Sequence, residues 1–336
     1  MINGFHIELT NICVLKCSGC ARTRFIDQWP QHWKNHNLDV NQLLQFLDVD
    51  LHDKTISLCG NYGDPIYHPD FINVVKHLKE TGVQLSIVTN GSYKTKDWWQ
   101  ELTDLLTNKD NITFSVDGIP ENFTQYRKNA DWESIELGIK TSVASQCNTT
   151  WSYIPFSFNE NNIDQAKELS LQLGIDNFVI NPSDRFDEKT FNLKPSTVEF
   201  IGNRFDSMEA WKKDKTVTDI TPKCQTGKHH FITAEGFYSP CCFLADHRFY
   251  YKNQFGKNKK QYDLWSLALI FSTIIIFKET YGYYSDYPRN YFTKDYYVNA
   301  YFLNRIPINF REPFILVLSK KSDINLSNFV TLLENS

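Results

Sequence analysis

A chain of 336 residues, 22% charged and 41% hydrophobic, has the composition of an ordinary soluble globular protein, long enough for two domains or one (β/α) barrel. Its net charge of −4 gives no general electrostatic reason to bind nucleic acid or an anionic membrane. The start, MINGFHIELT, lacks a basic stretch followed by a long apolar core, and the apolar run 264–277 is shorter than the ~20 residues of a spanning helix, so a cytoplasmic protein is expected. Without an export signal, eight cysteines read as reduced thiols, and clustered ones as metal ligands.

Phe5, Ile7 and Leu9 alternate with His6, Glu8 and Thr10, which predicts a first strand. It runs straight into Cys13, Cys17 and Cys20, spaced C-x3-C-x2-C. Three thiolates on one short loop can hold three corners of a cubane iron–sulfur cluster and leave the fourth iron open for a non-protein ligand. A structural zinc site or buried thiols is the other reading, although zinc needs a fourth ligand and usually takes two separated pairs.

Residues 54–60 predict a second strand. Phe71, Val74, Val75 and Leu78 follow at helical spacing, and Gly82 stands where that helix stops. VQLSIVTNG and NITFSVDG predict strands three and four around a helix from about Lys96 to Leu106. TWSYIPFSF and NFVINPS predict strands five and six around a helix bearing Ile163, Ala166, Leu169 and Leu173. Six strands alternating with helices predict an α/β fold: a parallel sheet, open or curled into a partial (β/α)6 TIM-type barrel. Chemistry in such folds gathers at the C-terminal strand ends, where the cysteine loop, GNYGDP, TNG and SVDG all fall. Cys59 in strand two and Cys147 after a helix read as packing residues.

The cysteine motif resembles that of the radical S-adenosylmethionine (radical SAM) enzymes, and strand order and motif positions extend the resemblance over residues 5–185. YGDP at 62–65 is similar to the family's Gly-Gly-Glu-Pro motif, which meets the amino group of SAM, with Tyr62 for the first glycine and Asp64 for the glutamate. The resemblance implies SAM contacts at Gly63, Asp64, Asn90, Ser115, Asp117 and Asn159, with Ser115 and Asp117 toward the ribose and Asn159, ending strand five, toward the adenosine. Gly19 departs from the aromatic residue usual before the third cysteine, so the adenine contact must come from elsewhere. The resemblance further implies a [4Fe–4S] cluster and SAM as cofactors. It implies reductive cleavage of SAM to a 5′-deoxyadenosyl radical that takes hydrogen from a peptide, protein or small molecule. An external electron donor such as flavodoxin or ferredoxin would supply the electron. The class is oxidoreductase or transferase, with no nucleic acid or membrane partner. A non-catalytic or degenerate iron–sulfur or zinc protein using the core as a partner-binding scaffold is the alternative.

From about Thr221, CQTGKHHFITAEGFYSPCC resembles the opening of the SPASM or shorter twitch extension, which implies an auxiliary iron–sulfur cluster at Cys224, Cys241 and Cys242. Small buried thiols in a hairpin is the equal reading, and no cysteine follows Cys242. The hairpin itself is read from two β-rich runs around Ala234, Glu235 and Gly236. His229 and His230, adjacent in a strand, point to opposite faces and predict no metal site. From about Ile270 the chain is dense in Tyr, Phe, Ile, Asn and Lys with no clear period, either a divergent ending or residues read out of frame. The expected organisation is a core over 1–215, an incomplete SPASM/twitch-like region over 216–265 and an irregular tail over 266–336.

Overall fold

A computed structural model of the chain describes residues 3–47, 50–181, 183, 185, 192–197, 229–236 and 238–239. Cys224, Cys241, Cys242 and the tail after 265 lie outside the described residues. The elements run β1 (Gly4–Ile7), α1 (Ala21–Gln28), α2 (Val40–Phe46), β2 (Thr55–Leu58), α3 (Phe71–Glu80), β3 (Gln84–Thr89), α4 (Lys96–Asp104), β4 (Asn111–Ser115), α5 (Trp132–Val143), β5 (Asn148–Tyr153), α6 (Ile163–Gln172), β6 (Asn177–Ile180), β7 (His229–Ile232) and β8 (Tyr238–Ser239). The chain divides into two compact units, Ile7–Asn37 with Leu51–Trp211, and Met1–His6 with Leu38–Asp50 and Lys212–Ser336.

In the first unit β2 to β6 pair in sequence order, all parallel, with registers Ile56↔Leu85, Ile87↔Ile112, Phe114↔Trp151 and Trp151↔Phe178. The end of β1 joins beside β2, where the Cys59 amide donates to the Ile7 carbonyl at 3.3 Å. A helix separates each strand from the next, and the order never reverses. That progression is the α/β architecture of a partial TIM-type barrel.

The strands hold because their patterns match the period of two. β3 alternates half-buried and buried positions along its length. The helices answer with one apolar stripe: Phe71, Val74, Val75 and Leu78 of α3 are all buried. Each such side chain, fully buried, contributes roughly 1.5–3 kcal/mol. Helix starts are fixed by side chains, with Thr95 accepting from the Trp98 amide and Asp131 from the Ser134 amide. At the other end of the strands, buried Asp110 accepts from Lys79 Nζ at 2.7 Å and from the Leu85 amide at 2.7 Å.

In the second unit β7 and β8 form the antiparallel hairpin read from the sequence, with Ile232 opposite Tyr238. Gly236 closes its turn at a φ of 83°, and its amide donates to the Thr233 carbonyl. The His6 and Phe231 rings meet edge to face at 4.6 Å. Among the described residues no helix is long and apolar enough to cross a membrane.

Some placements differ from the sequence reading, beginning with β1, which stops at Ile7 and leaves Glu8, Leu9 and Thr10 beyond it. β5 stops at Tyr153, so Asn159 lies in the following loop and caps the 3-10 turn Glu160–Asn162. Pro155 accounts for the early stop, since it removes an amide from the ladder and bends the chain away. Cys59 falls one residue beyond β2.

Candidate functional site

The loop after β1 is shaped so that three sulfurs share one neighbourhood. The Cys20 amide donates to the Cys17 carbonyl at 3.2 Å, closing a turn through Gly19 at a φ of 76°. Only glycine takes that conformation without strain, and a Cβ there would also press on the Arg185 carbonyl and stand 3.1 Å from Leu193. This is the physical reason that no aromatic side chain occupies position 19. Cys20 then caps α1, and the Arg24 amide donates back to its carbonyl. Cys13, Cys17 and Cys20 are unbridged thiols. Cys17 is buried with Leu15, Tyr126, Phe156 and Leu193, and Cys13 and Cys20 pack against that cluster half-buried.

The second strand's loop lies directly against this one. Buried Glu8 accepts from the Tyr62 amide at 2.7 Å and the Gly63 amide at 3.1 Å. The Asp64 amide donates to the Ile12 carbonyl at 3.0 Å. The contact is so close that a Cβ on Gly63 would stand 2.7 Å from Asn11 Cα. Glycine at 63 is therefore a requirement of packing between the two loops.

Asp64 is buried, and its carboxylate links loop two to strand three. It accepts from Thr89 Oγ1 at 2.9 and 3.1 Å, from Asn90 N at 2.6 Å, from Asn90 Nδ2 at 2.6 Å and from Ile66 N at 3.3 Å. Burial pushes its carboxyl up to about 6, against the donors from Asn90, Thr89 and Ile66 that pull it down. Asn90 passes the connection on, donating from Nδ2 to Cys13 Sγ at 3.6 Å. Its Oδ1 accepts from the Ser92 amide at 2.9 Å and lies 3.1 Å from the Tyr67 hydroxyl. Cys13 receives a second donor from the Leu15 amide at 3.4 Å.

The other side of the loop rests on the segment after β4. The Lys16 and Ser18 amides donate to the Lys128 and Tyr126 carbonyls at 3.0 and 3.1 Å, so the main chain brackets Cys17 against Arg127. Arg127 Nε donates to Asp117 Oδ2 at 2.6 Å, and its guanidinium lies 5.4 Å from the ring centre of Tyr126, which packs with Cys17. Asp117 Oδ1 accepts from the Ile154 amide at 2.7 Å. Asn159 is fully buried and braces the same region. It donates from Nδ2 to the Asp117 and Ile154 carbonyls at 3.1 and 3.0 Å and accepts from the Phe156 amide at 2.7 Å. Ser115, at the end of β4, is half-buried and makes no side-chain hydrogen bond among the described residues.

Burial raises the Cys13 thiol well above the ordinary range, with the Asp64 charge adding to it. Burial also pushes Cys17 up to about 11, with Arg127 pulling it back. The bare Cys13 and Cys17 thiols stay protonated at neutral pH, and a bound metal deprotonates a coordinating thiol outright. Among the described residues no three His, Cys, Asp or Glu side chains converge as ligands of one metal ion. Corners of a multinuclear cluster ask thiolates to stand farther apart than ligands of a single ion. Three loop thiols, one receiving two N–H donors and another under the influence of a buried cation, are a donor set that fits an iron–sulfur cluster.

The site thus brings Cys13, Cys17, Cys20, Gly63, Asp64 and Asn90 into one hydrogen-bonded group, with Asp117 and Asn159 braced behind Cys17. Glu8, Tyr67 and Arg127 belong to it without having been singled out by sequence. Glu8 sits where the period of two reads a solvent face, and Arg127 within YRKN falls in none of the motifs read from the sequence.

Comparison with known proteins agrees with this geometry. Residues 7–170 match the radical SAM superfamily. The chain is 30% identical over 119 residues to the tungsten-containing aldehyde ferredoxin oxidoreductase cofactor-modifying protein of Pyrococcus furiosus, covering 34% of this chain and 31% of that protein. SuiB of Streptococcus suis bound to S-adenosylmethionine superposes with a TM-score of 0.53 at 12% identity, over 73% of this chain and 61% of that one. SuiB bound to the precursor peptide SuiA gives 0.50 at 13% identity, over 77% and 67%. The chain spans less than two thirds of the Pyrococcus protein and of SAM-bound SuiB. At such identities the likeness to SuiB establishes the fold.

Proposed function

Residues 7–170 belong to the radical SAM superfamily, and from that premise we propose that this chain is a radical SAM enzyme whose Cys13, Cys17 and Cys20 hold a [4Fe–4S] cluster. The observation that carries the reading is the convergence of the three-cysteine loop, the GDP loop and Asn90 in one network. When bound, the cluster supplies the electron that splits SAM into methionine and a 5′-deoxyadenosyl radical.

The chain's own residues bind and orient. Glu8 fixes the amides of Tyr62 and Gly63, so that this loop offers its main chain to the amino group of SAM. Asp64, its oxygens already engaged, acts by aiming Asn90 at Cys13. Ser115 has the hydroxyl open to a ribose, whereas Asp117 shapes the site through Arg127 and the Ile154 main chain. Asn159 holds residues 154–156 in the turn that would border the adenosine. The apolar wall of Leu15, Phe156 and Leu193 supports the exclusion of water from that region.

A peptide is the substrate class to test first, because the SuiB fold neighbour is seen with a precursor peptide. A protein or small-molecule substrate is the other arm of that test. Cys224, Cys241 and Cys242 as an auxiliary-cluster set, an external flavodoxin or ferredoxin donor, and a cytoplasmic site of action complete the proposal.

The test is anaerobic reconstitution with iron and sulfide, then SAM and dithionite, with 5′-deoxyadenosine as the readout. Wild-type protein yields it. Cys17→Ala loses both the bound iron and the product. A protein that binds iron and sulfide yet never cleaves SAM would instead be a scaffold, and the proposal would fall.

A further inference from the structure

Arg127 is an unusual residue to find beside a cysteine loop. Its side chain is 14% exposed and that of its partner Asp117 is fully buried. Two main-chain hydrogen bonds, from Lys16 and Ser18 to Lys128 and Tyr126, hold its segment against Cys17. The guanidinium also lies 5.4 Å from the Tyr126 ring centre. Tyr126 packs with Cys17 in one buried cluster, which sets the cation in the surroundings of that thiol.

We infer that the Arg127–Asp117 pair is an electrostatic element that sets the reduction potential of a cluster bound through Cys17, with Arg127 favouring the reduced form and Asp117 opposing it. This rests on the assignment of Cys13, Cys17 and Cys20 as cluster ligands. Reduction adds one electron, taken from an external low-potential reductant, and moves no proton and breaks no bond. The reduced group carries one more negative charge, so a fixed cation at a ligand sulfur stabilises it relative to the oxidised form. Low exposure keeps water from screening the pair. The Arg127 segment is held against the Cys17 loop, and the Arg127 charge acts on Cys17 more strongly than the Asp117 charge, so the pair's net field at the sulfur is positive. Arg127 is thus a positioning residue acting through Cys17.

The experiment is a dithionite redox titration of the reconstituted protein without SAM, followed by electron paramagnetic resonance, with iron and sulfide counted in each sample. Arg127→Met should move the midpoint to lower potential. Arg127→Lys, which keeps the charge, should stay near wild type. Asp117→Asn, which leaves the cation uncompensated, should move it to higher potential. Shifts of opposite sign are not produced by a merely structural role. No shift, or a shift of one sign in both neutralising variants, overturns the inference. If Arg127→Met assembles no cluster, the other two decide: Asp117→Asn higher with Arg127→Lys unchanged supports it, and any other pattern overturns it. Loss of the cluster in Arg127→Lys would make the role one of shape and overturn it as well. Wild-type protein without iron, sulfide or a paramagnetic signal would sink the ligand assignment itself, a distinct result.

Discussion

Replacing Asp64 with alanine removes one acceptor from four donors at once: Thr89 Oγ1, Asn90 N, Asn90 Nδ2 and Ile66 N. Their losses are unequal. The Thr89 hydroxyl can rotate, the Ile66 bond is long at 3.3 Å, and Asn90 Nδ2 keeps its contact with Cys13. The Asn90 main-chain amide has no comparable alternative, since it sits at the buried end of β3 and cannot turn. A stranded buried donor costs about 1–3 kcal/mol, so one complete loss and several partial ones come to roughly 2–5 kcal/mol. Typical domain stabilities of about 5–15 kcal/mol leave the variant folded but weakened. Asp64→Asn keeps the shape and one acceptor oxygen and should cost less, about 1–2 kcal/mol. Anaerobic urea unfolding of the metal-free protein, followed by tryptophan fluorescence, measures the change in midpoint at constant slope. Iron content after reconstitution supplies the second readout, because Asn90 Nδ2, no longer held by Asp64, is less firmly aimed at Cys13. An unchanged midpoint for Asp64→Ala, or a weakened protein that still takes up its full iron, would refute the reasoning.

Asp64 also predicts a pH dependence. Its carboxyl sits near 6 in the folded chain against about 3.9 unfolded, so the folded state holds a proton that the unfolded state has released in between. The stability it contributes is complete below about pH 4 and is lost as pH rises through about 6. Wild type should fall by up to roughly 3 kcal/mol over that window relative to Asp64→Asn, read by urea unfolding at each pH. Gly63→Ala should cost about 1–3 kcal/mol by overpacking against Thr10 and Asn11. It should also raise the SAM concentration needed for half-maximal 5′-deoxyadenosine formation. Gly19→Ala should cost about 1–2 kcal/mol from the left-handed backbone alone. Gly19→Phe should go further and lower iron uptake, measured by thermal unfolding and metal analysis.

The sequence was legible where one period dominates. β3 and α3 match their readings because alternation and a single apolar stripe leave few other solutions. The cysteine loop was legible because its spacing is short and local. Roles carried by long-range contacts were not. Glu8 looks like an outward strand residue until the loop at 62–63, more than fifty residues later, places two amides on its carboxylate. Asp64, Asp117 and Asn159 were picked for their places in the chain after the second, fourth and fifth strands. Nothing local says that their polar atoms bind protein groups, because those partners come from other strand ends. Asn159 was assigned to a strand end because the β-rich composition of residues 151–158 hides the break at Pro155.

The two halves of the site repeat one arrangement with different chemistry. After β2, a buried carboxylate orients a side-chain donor toward the first cysteine: Asp64 to Asn90 to Cys13. After β4, another holds a cation whose charge acts on the second: Asp117 binds Arg127, and the Arg127 charge favours the Cys17 thiolate. An amide donor carries no net charge, so the first arm can fix the direction of a sulfur lone pair but adds little field. A guanidinium carries a permanent one, so the second arm supplies that field. The distinction separates the two arms experimentally. Disturbing Asp64 or Asn90 should act on iron uptake and local stability, whereas disturbing Arg127 should act on the energy of the added electron even where iron uptake is complete. If both arms altered uptake alone, the charge on Arg127 would have no role that an amide could not fill, and its pairing with a buried carboxylate would be packing only.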